Sequence, residues 1–107
     1  MTPEEVDLLS ELTIVIPTYN RPLELERAIE YWRDLPVTVH ILDGSEKPWF
    51  PVGVLPVTLK ISYHHFPQIV DEDWKDNYIR PMKFASELCN SRFVALCSDD
   101  DFLLLRG

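Results

Sequence analysis

The sequence predicts an α/β fold, a Rossmann-like and mostly parallel sheet with flanking helices. Three observations predict it. Short strand-like runs recur at residues 12–16, 37–42 and 93–97, the first two rich in β-branched residues, and the first and last are apolar almost throughout, as strands buried on both faces are. Amphipathic helical spacing lies between them. The most polar turns follow the strands directly, and in open α/β sheets ligands bind beyond those carboxyl ends.

Leu12-Thr13-Ile14-Val15-Ile16 reads as the first parallel strand, buried and stopped by Pro17. After the turn Thr18-Tyr19-Asn20, Pro22 takes a helix-starting position. Leu25, Ala28, Ile29 and Trp32 follow at i, i+3, i+4 and i+7, with Glu24, Arg27, Glu30 and Asp34 largely opposite. Pro36 ends this helix, and residues 37–42 form a second strand that runs into Asp43-Gly44-Ser45. Residues 46–56 carry Pro48, Pro51 and Pro56 with Trp49 and Phe50, an irregular connection pinned by its aromatics. Residues 57–63 alternate apolar and polar, the pattern of a third strand at a sheet edge. The chain then turns polar and acidic as far as Asn77. Pro81, Met82, Ala85, Leu88 and Cys89 mark a second helix that stops near Asn90, and residues 93–97 are a buried fourth strand emptying into Ser98-Asp99-Asp100-Asp101.

Length and composition bound the function. A chain of 107 residues, 46% of them apolar, makes one domain, residues 1–107, with a core that needs no metal or disulfide staple. Ten Lys plus Arg against 18 Asp plus Glu give a net charge of −8, which argues against nucleic acid as a partner, because such binding rests on clustered cations. Gly44, Gly53 and Gly107 are the only glycines and lie too far apart for a P-loop or a dinucleotide fingerprint. Cys89 and Cys97 are the only cysteines, and the Met-Thr-Pro-Glu-Glu start has no basic or apolar leader region, so a reduced, cytoplasmic protein is expected. No apolar stretch approaches the roughly 18 residues of a membrane span.

Three adjacent aspartates after a buried strand repel one another unless a cation neutralises them. Hard oxygen ligands of this kind suit Mn²⁺ or Mg²⁺. The alternative is a helix cap, since Asp is favoured at N-cap and first-turn positions.

Residues 13–22, Thr-Ile-Val-Ile-Pro-Thr-Tyr-Asn-Arg-Pro, resemble the opening of GT-A-fold glycosyltransferases of the family-two type. Ile41-Leu42-Asp43-Gly44-Ser45 resembles their second-strand Asp-Asp-Gly-Ser turn, with Leu42 in place of one acid, and residues 93–102 resemble the strand that ends in their Asp-x-Asp metal motif. The three motifs occur in the family's order and cover essentially the whole chain.

The resemblance implies the nucleotide-binding half of a GT-A fold, part of a metal-dependent, inverting transferase that takes a nucleotide-diphosphate sugar as donor. It implies nucleotide contacts from Pro17, Thr18, Tyr19, Arg21, Asp43 and Asp99. Thr18 and Tyr19 would line the base pocket, and Asp43 would contact base or ribose. The run Asp99, Asp100 and Asp101 would hold ribose and a divalent metal, Mn²⁺ or Mg²⁺. In one register Ser98 replaces the first acid and Asp100 is the ligand; in the other Asp99 and Asp101 serve. Met82 stands where the family often has an Arg near the diphosphate, with Arg80 and Lys83 beside it.

The family's general base and acceptor site belong to a second half that this sequence does not carry, so the acceptor is not specified. The alternative reading is therefore a non-catalytic nucleotide-sugar-binding domain or fragment. A nucleotidyltransferase of similar sheet design fits less well, because those enzymes carry a glycine-rich basic loop after the first strand. His64, His65, Cys89 and the three tryptophans lack the spacing of a zinc site or a covalent nucleophile and are read as structural.

Overall fold

The computed structural model describes residues 2–48 and 60–99. Its elements are α1 (Pro3–Ser10), β1 (Leu12–Thr18), α2 (Pro22–Arg33), β2 (Thr38–Asp43), β3 (Ile61–His65), α3 (Trp74–Leu88) and β4 (Phe93–Leu96). The strands form one sheet in the order β3-β2-β1-β4, and every neighbouring pair is parallel. This is the expected α/β, Rossmann-like arrangement. The order reverses at β1, which has β2 on one side and β4 on the other, so the topological switch point lies between the ends of β1 and β4.

One face of the sheet carries the main core. Leu25, Ala28, Ile29 and Trp32 of α2 are buried against Ile14 and Ile16 of β1 and Val39 and Ile41 of β2, joined by Val37, Ile61 and Cys97. On the opposite face Val15, Leu42 and Ala85 of α3 are buried, with Phe66, Met82 and Cys89 packed around them. No helix among the described residues is long and apolar enough to cross a membrane.

Several boundaries differ from the sequence expectation. β1 continues through Pro17 to Thr18 instead of stopping. The Val15 carbonyl accepts from the Cys97 N–H, and the β1–β4 ladder ends at Val15 and Leu96. Two residues on, the Pro17 nitrogen faces the same side beyond that last pair, so its missing N–H costs no ladder bond. β2 begins one residue later than expected and runs to Asp43. β3 starts at Ile61 and extends to His65, whereas the expected start, residues 57–59, lies outside the described residues, as does most of the Pro-rich connection.

α1 was not signalled by an apolar stripe, and none of its residues is buried. A capping box between Thr2 and Glu5, with Pro3 in the first turn, sets its start.

The largest correction is α3, which begins at Trp74 rather than near Pro81. Asp73 caps it, its carboxylate accepting from the Asp76 N–H at 2.9 Å, and Pro81 sits buried inside the helix. A proline that reads as a helix start is here an interior residue. β4 is also not buried as expected: it has a single neighbour among the described strands, and Phe93, Val94 and Leu96 are each about half exposed.

Candidate functional site

The turns after β1, β2 and β4 meet at one rim through bonds between residues far apart in sequence. The Gly44 N–H donates to the Thr18 carbonyl at 2.9 Å, extending the β1–β2 seam past Asp43. Asn20 adopts φ 52°, a left-handed conformation that Asn tolerates better than most residues, and its N–H donates to Ser45 Oγ at 2.7 Å. Across the switch point the Thr18 hydroxyl donates to Asp99 Oδ2 at 2.7 Å. The Arg21 guanidinium lies 3.1 Å from Asp99 Oδ1. Asp99 is only 2% exposed, so its negative charge is held by these two neighbours instead of water.

A cavity of about 380 Å³ opens at this junction. Pro17, Thr18, Tyr19, Arg21 and Asp99, five of the six residues assigned to a nucleotide from sequence, line it together. Leu42, Gly44 and Gln68 line it from the β2 side, and the Gln68 amide donates to the Gly44 carbonyl at 3.3 Å.

Asp43, the sixth, does not line this cavity; it faces a second one of about 280 Å³ bordered by Arg21, Ser45 and Lys47. Its carboxylate is spent on its own surroundings. Oδ1 accepts from the Ser45 N–H at 2.9 Å and from the Ser45 hydroxyl, and Oδ2 accepts from the Tyr63 hydroxyl. At 1% exposed, Asp43 is the pin of a turn tied to β3. His65 Nε2 reinforces it, 2.7 Å from the Ser45 carbonyl.

Asp100 and Asp101 lie outside the described residues, and among the described ones no group of three or more His, Cys, Asp or Glu side chains is placed to hold a metal. Both oxygens of Asp99 are already engaged, by Thr18 and by Arg21. The described residues therefore do not by themselves fit Mn²⁺ or Mg²⁺.

Apart from Met82, sequence reasoning missed one wall of the cavity. Trp74, Asn77, Tyr78, Pro81 and Met82 line it from α3, at i, i+3, i+4, i+7 and i+8, a single helical stripe. The signal was present in that spacing, but placing the helix start near Pro81 hid it. Asn77 anchors the wall: its side-chain amide donates to the carbonyls of Ile69, Glu72 and Asp73, and its oxygen accepts from the Ile69 N–H at 2.7 Å.

The remaining titratable groups stand apart. His40 Nδ1 and His64 Nε2 are 3.2 Å apart between β2 and β3, with the Phe84 ring of α3 against His64, and neither lines the cavity. Burial lowers both imidazole pKa values, and for His64 the neighbouring His40 lowers it further. Burial pushes the Cys89 thiol up, which makes it a poor nucleophile. No protein-family model matches the chain, and no curated protein matches it in sequence.

Proposed function

We propose that this protein binds a nucleotide-diphosphate sugar at the β1/β4 switch point, as the donor-binding half of a GT-A-type glycosyltransferase. One observation carries the reading: the Thr18–Asp99 hydrogen bond, with Tyr19 and Arg21 beside it, stands at the mouth of a single concave cavity beyond the carboxyl ends of parallel strands. Tyr19, half exposed at that mouth, supplies an aromatic face, and Arg21 supplies a guanidinium whose direction the buried Asp99 fixes. Asp99 is in this reading a positioning carboxylate.

The acidic run continues in sequence into Asp100 and Asp101, outside the described residues, and the reading assigns any divalent ion, Mn²⁺ or Mg²⁺, to these acids. Such an ion, when bound, supplies positive charge against the diphosphate. A chain with net charge −8 needs that compensation, because Asp99 and Glu24 already offset Arg21.

The second reading, a nucleotide-sugar-binding domain without transfer activity, is favoured by a different observation. Asp99 is the one acid among the described residues lining the cavity, and it is engaged, so the described cavity offers no carboxylate to deprotonate an acceptor hydroxyl.

Calorimetric titration with UDP, GDP, CDP, ADP and dTDP, each with Mn²⁺ and then with chelator, tests the common part of both readings. Saturable binding of at least one is expected, stronger with Mn²⁺. Absence of heat with all of them under both conditions overturns the proposal. Sugar release or transfer from the matching nucleotide sugar separates the two readings.

A further inference from the structure

Trp74, Tyr78 and Tyr19 are large aromatic residues left 73%, 44% and 54% exposed, and all three line the same cavity. An exposed tryptophan gains little from folding, and three such rings gathered round one concavity mark a surface shaped for a ligand. Trp74 and Tyr78 stand one helical turn apart on α3, opposite the β1 end that carries Tyr19. Lys75 Nζ lies over the Trp74 ring, 5.9 Å from its centroid, and helps to hold it. Asn77, buried between them in sequence, locks the 69–73 turn to the first turn of α3, so the wall is fixed in place.

We infer that Trp74 and Tyr78 form the base-recognition wall of this site, taking the flat ring of a nucleobase against α3 in place of a contact from Asp43. The inference rests on the nucleotide reading above and deepens it. Asp43 does not line this cavity: it faces the other one, and Ser45 and Tyr63 take three of its acceptor positions. The cavity lining carries two kinds of chemistry: Thr18, Arg21 and Asp99 suit ribose and phosphate, and the aromatic side chains suit a ring that is recognised by its π-face.

The test is calorimetry of the five nucleoside diphosphates and of inorganic pyrophosphate, all with Mn²⁺, on the wild type and on Trp74→Ala, Trp74→Phe and Tyr78→Ala, with a thermal melt of each variant. Trp74→Ala is expected to weaken the nucleoside diphosphate by about 10-fold or more, and Trp74→Phe to stay within about 3-fold of wild type, the range expected of base stacking. Pyrophosphate, which has no base, gives the same heats in every variant, and the melts do not move because the ring is exposed. If a nucleotide binds the wild type and binds Trp74→Ala and Tyr78→Ala equally well, the wall is wrong and the nucleotide reading stands. An equal loss of pyrophosphate, or a loss that Trp74→Phe does not restore, also overturns the wall. If no nucleotide binds the wild type, both readings fall together.

Discussion

The two faces of the sheet are built from the same four strands to different ends. On the α2 face eleven buried residues interlock, including Trp32 at 1% exposed and Ile14, Ile16, Val37 and Ile41 at 0%. On the α3 face the buried hydrophobic cluster is only Val15, Leu42 and Ala85, and the helix lends the N-terminal part of its inner stripe to a cavity. Side chains that face the cavity have less surface left for packing, and Met82, which packs on the cluster and also lines the cavity, stands at the boundary. Stability is therefore concentrated on one face, and the other keeps exposed aromatics and a rim of polar turns where a small molecule fits.

The largest expected effect breaks the stronger face. Trp32→Ala empties the middle of the α2 core and should cost about 3–5 kcal/mol in urea unfolding, whereas Met82→Ala on the α3 face, removing a partly buried side chain, should cost much less. Equal costs would remove the asymmetry.

Next comes Asn77→Ala, which removes the side-chain partner of the Ile69 N–H and of three carbonyls before α3, of which Ile69 and Asp73 keep a backbone donor while, among the described residues, Glu72 does not. A loss of about 2 kcal/mol is expected, read by thermal melting, together with faster amide exchange across residues 69–73. Unchanged exchange would show that the wall is held without it.

Acid sharpens the comparison on the α3 side. Burial keeps the His40 and His64 pKa values below the ordinary 6.5, so the unfolded chain takes up protons at a higher pH than the folded protein does. The stability they contribute is complete above 6.5 and is lost as pH falls from there through the lowered folded values. No other titratable ring stacks on the pair among the described contacts; Phe84 is the ring from α3. Urea midpoints at pH 7.5 and 5.5 should separate in the wild type and draw closer in His64→Gln; an unchanged separation would assign the acid sensitivity elsewhere.

The smallest effect is at β4. Val94, about half exposed, should tolerate Thr with a change within about 0.5 kcal/mol. A larger loss in the same melt would mean that the exposed strand is covered in solution.

Much of the fold was legible from local pattern. The spacing of Leu25, Ala28, Ile29 and Trp32 places their side chains on one side of a helix whatever else the chain does, and the β-branched run at residues 13–16 reads as a buried strand for the same kind of reason. The rim was legible too, because polar turns after parallel strands fall on one edge. The start of α3 was not, since Pro81 imitates a helix start and the actual cap, Asp73, sits in an acidic stretch with several equivalent residues.

Side-chain partnerships lay beyond reach of the sequence. The sequence shows Asp43 in a turn, but not that β3 brings the Tyr63 hydroxyl to it from 20 positions away. That Asp99 bonds Thr18, 81 positions away, could not be read from its place in an acidic run, because the β1–β4 pairing brings the two together. Periodicity is a property of a few neighbouring residues and survives in any context, so it can be read along the chain. Which oxygen is left for a ligand depends on how separate strands pair and how deeply the group is buried, and those distances exist only once the sheet has closed.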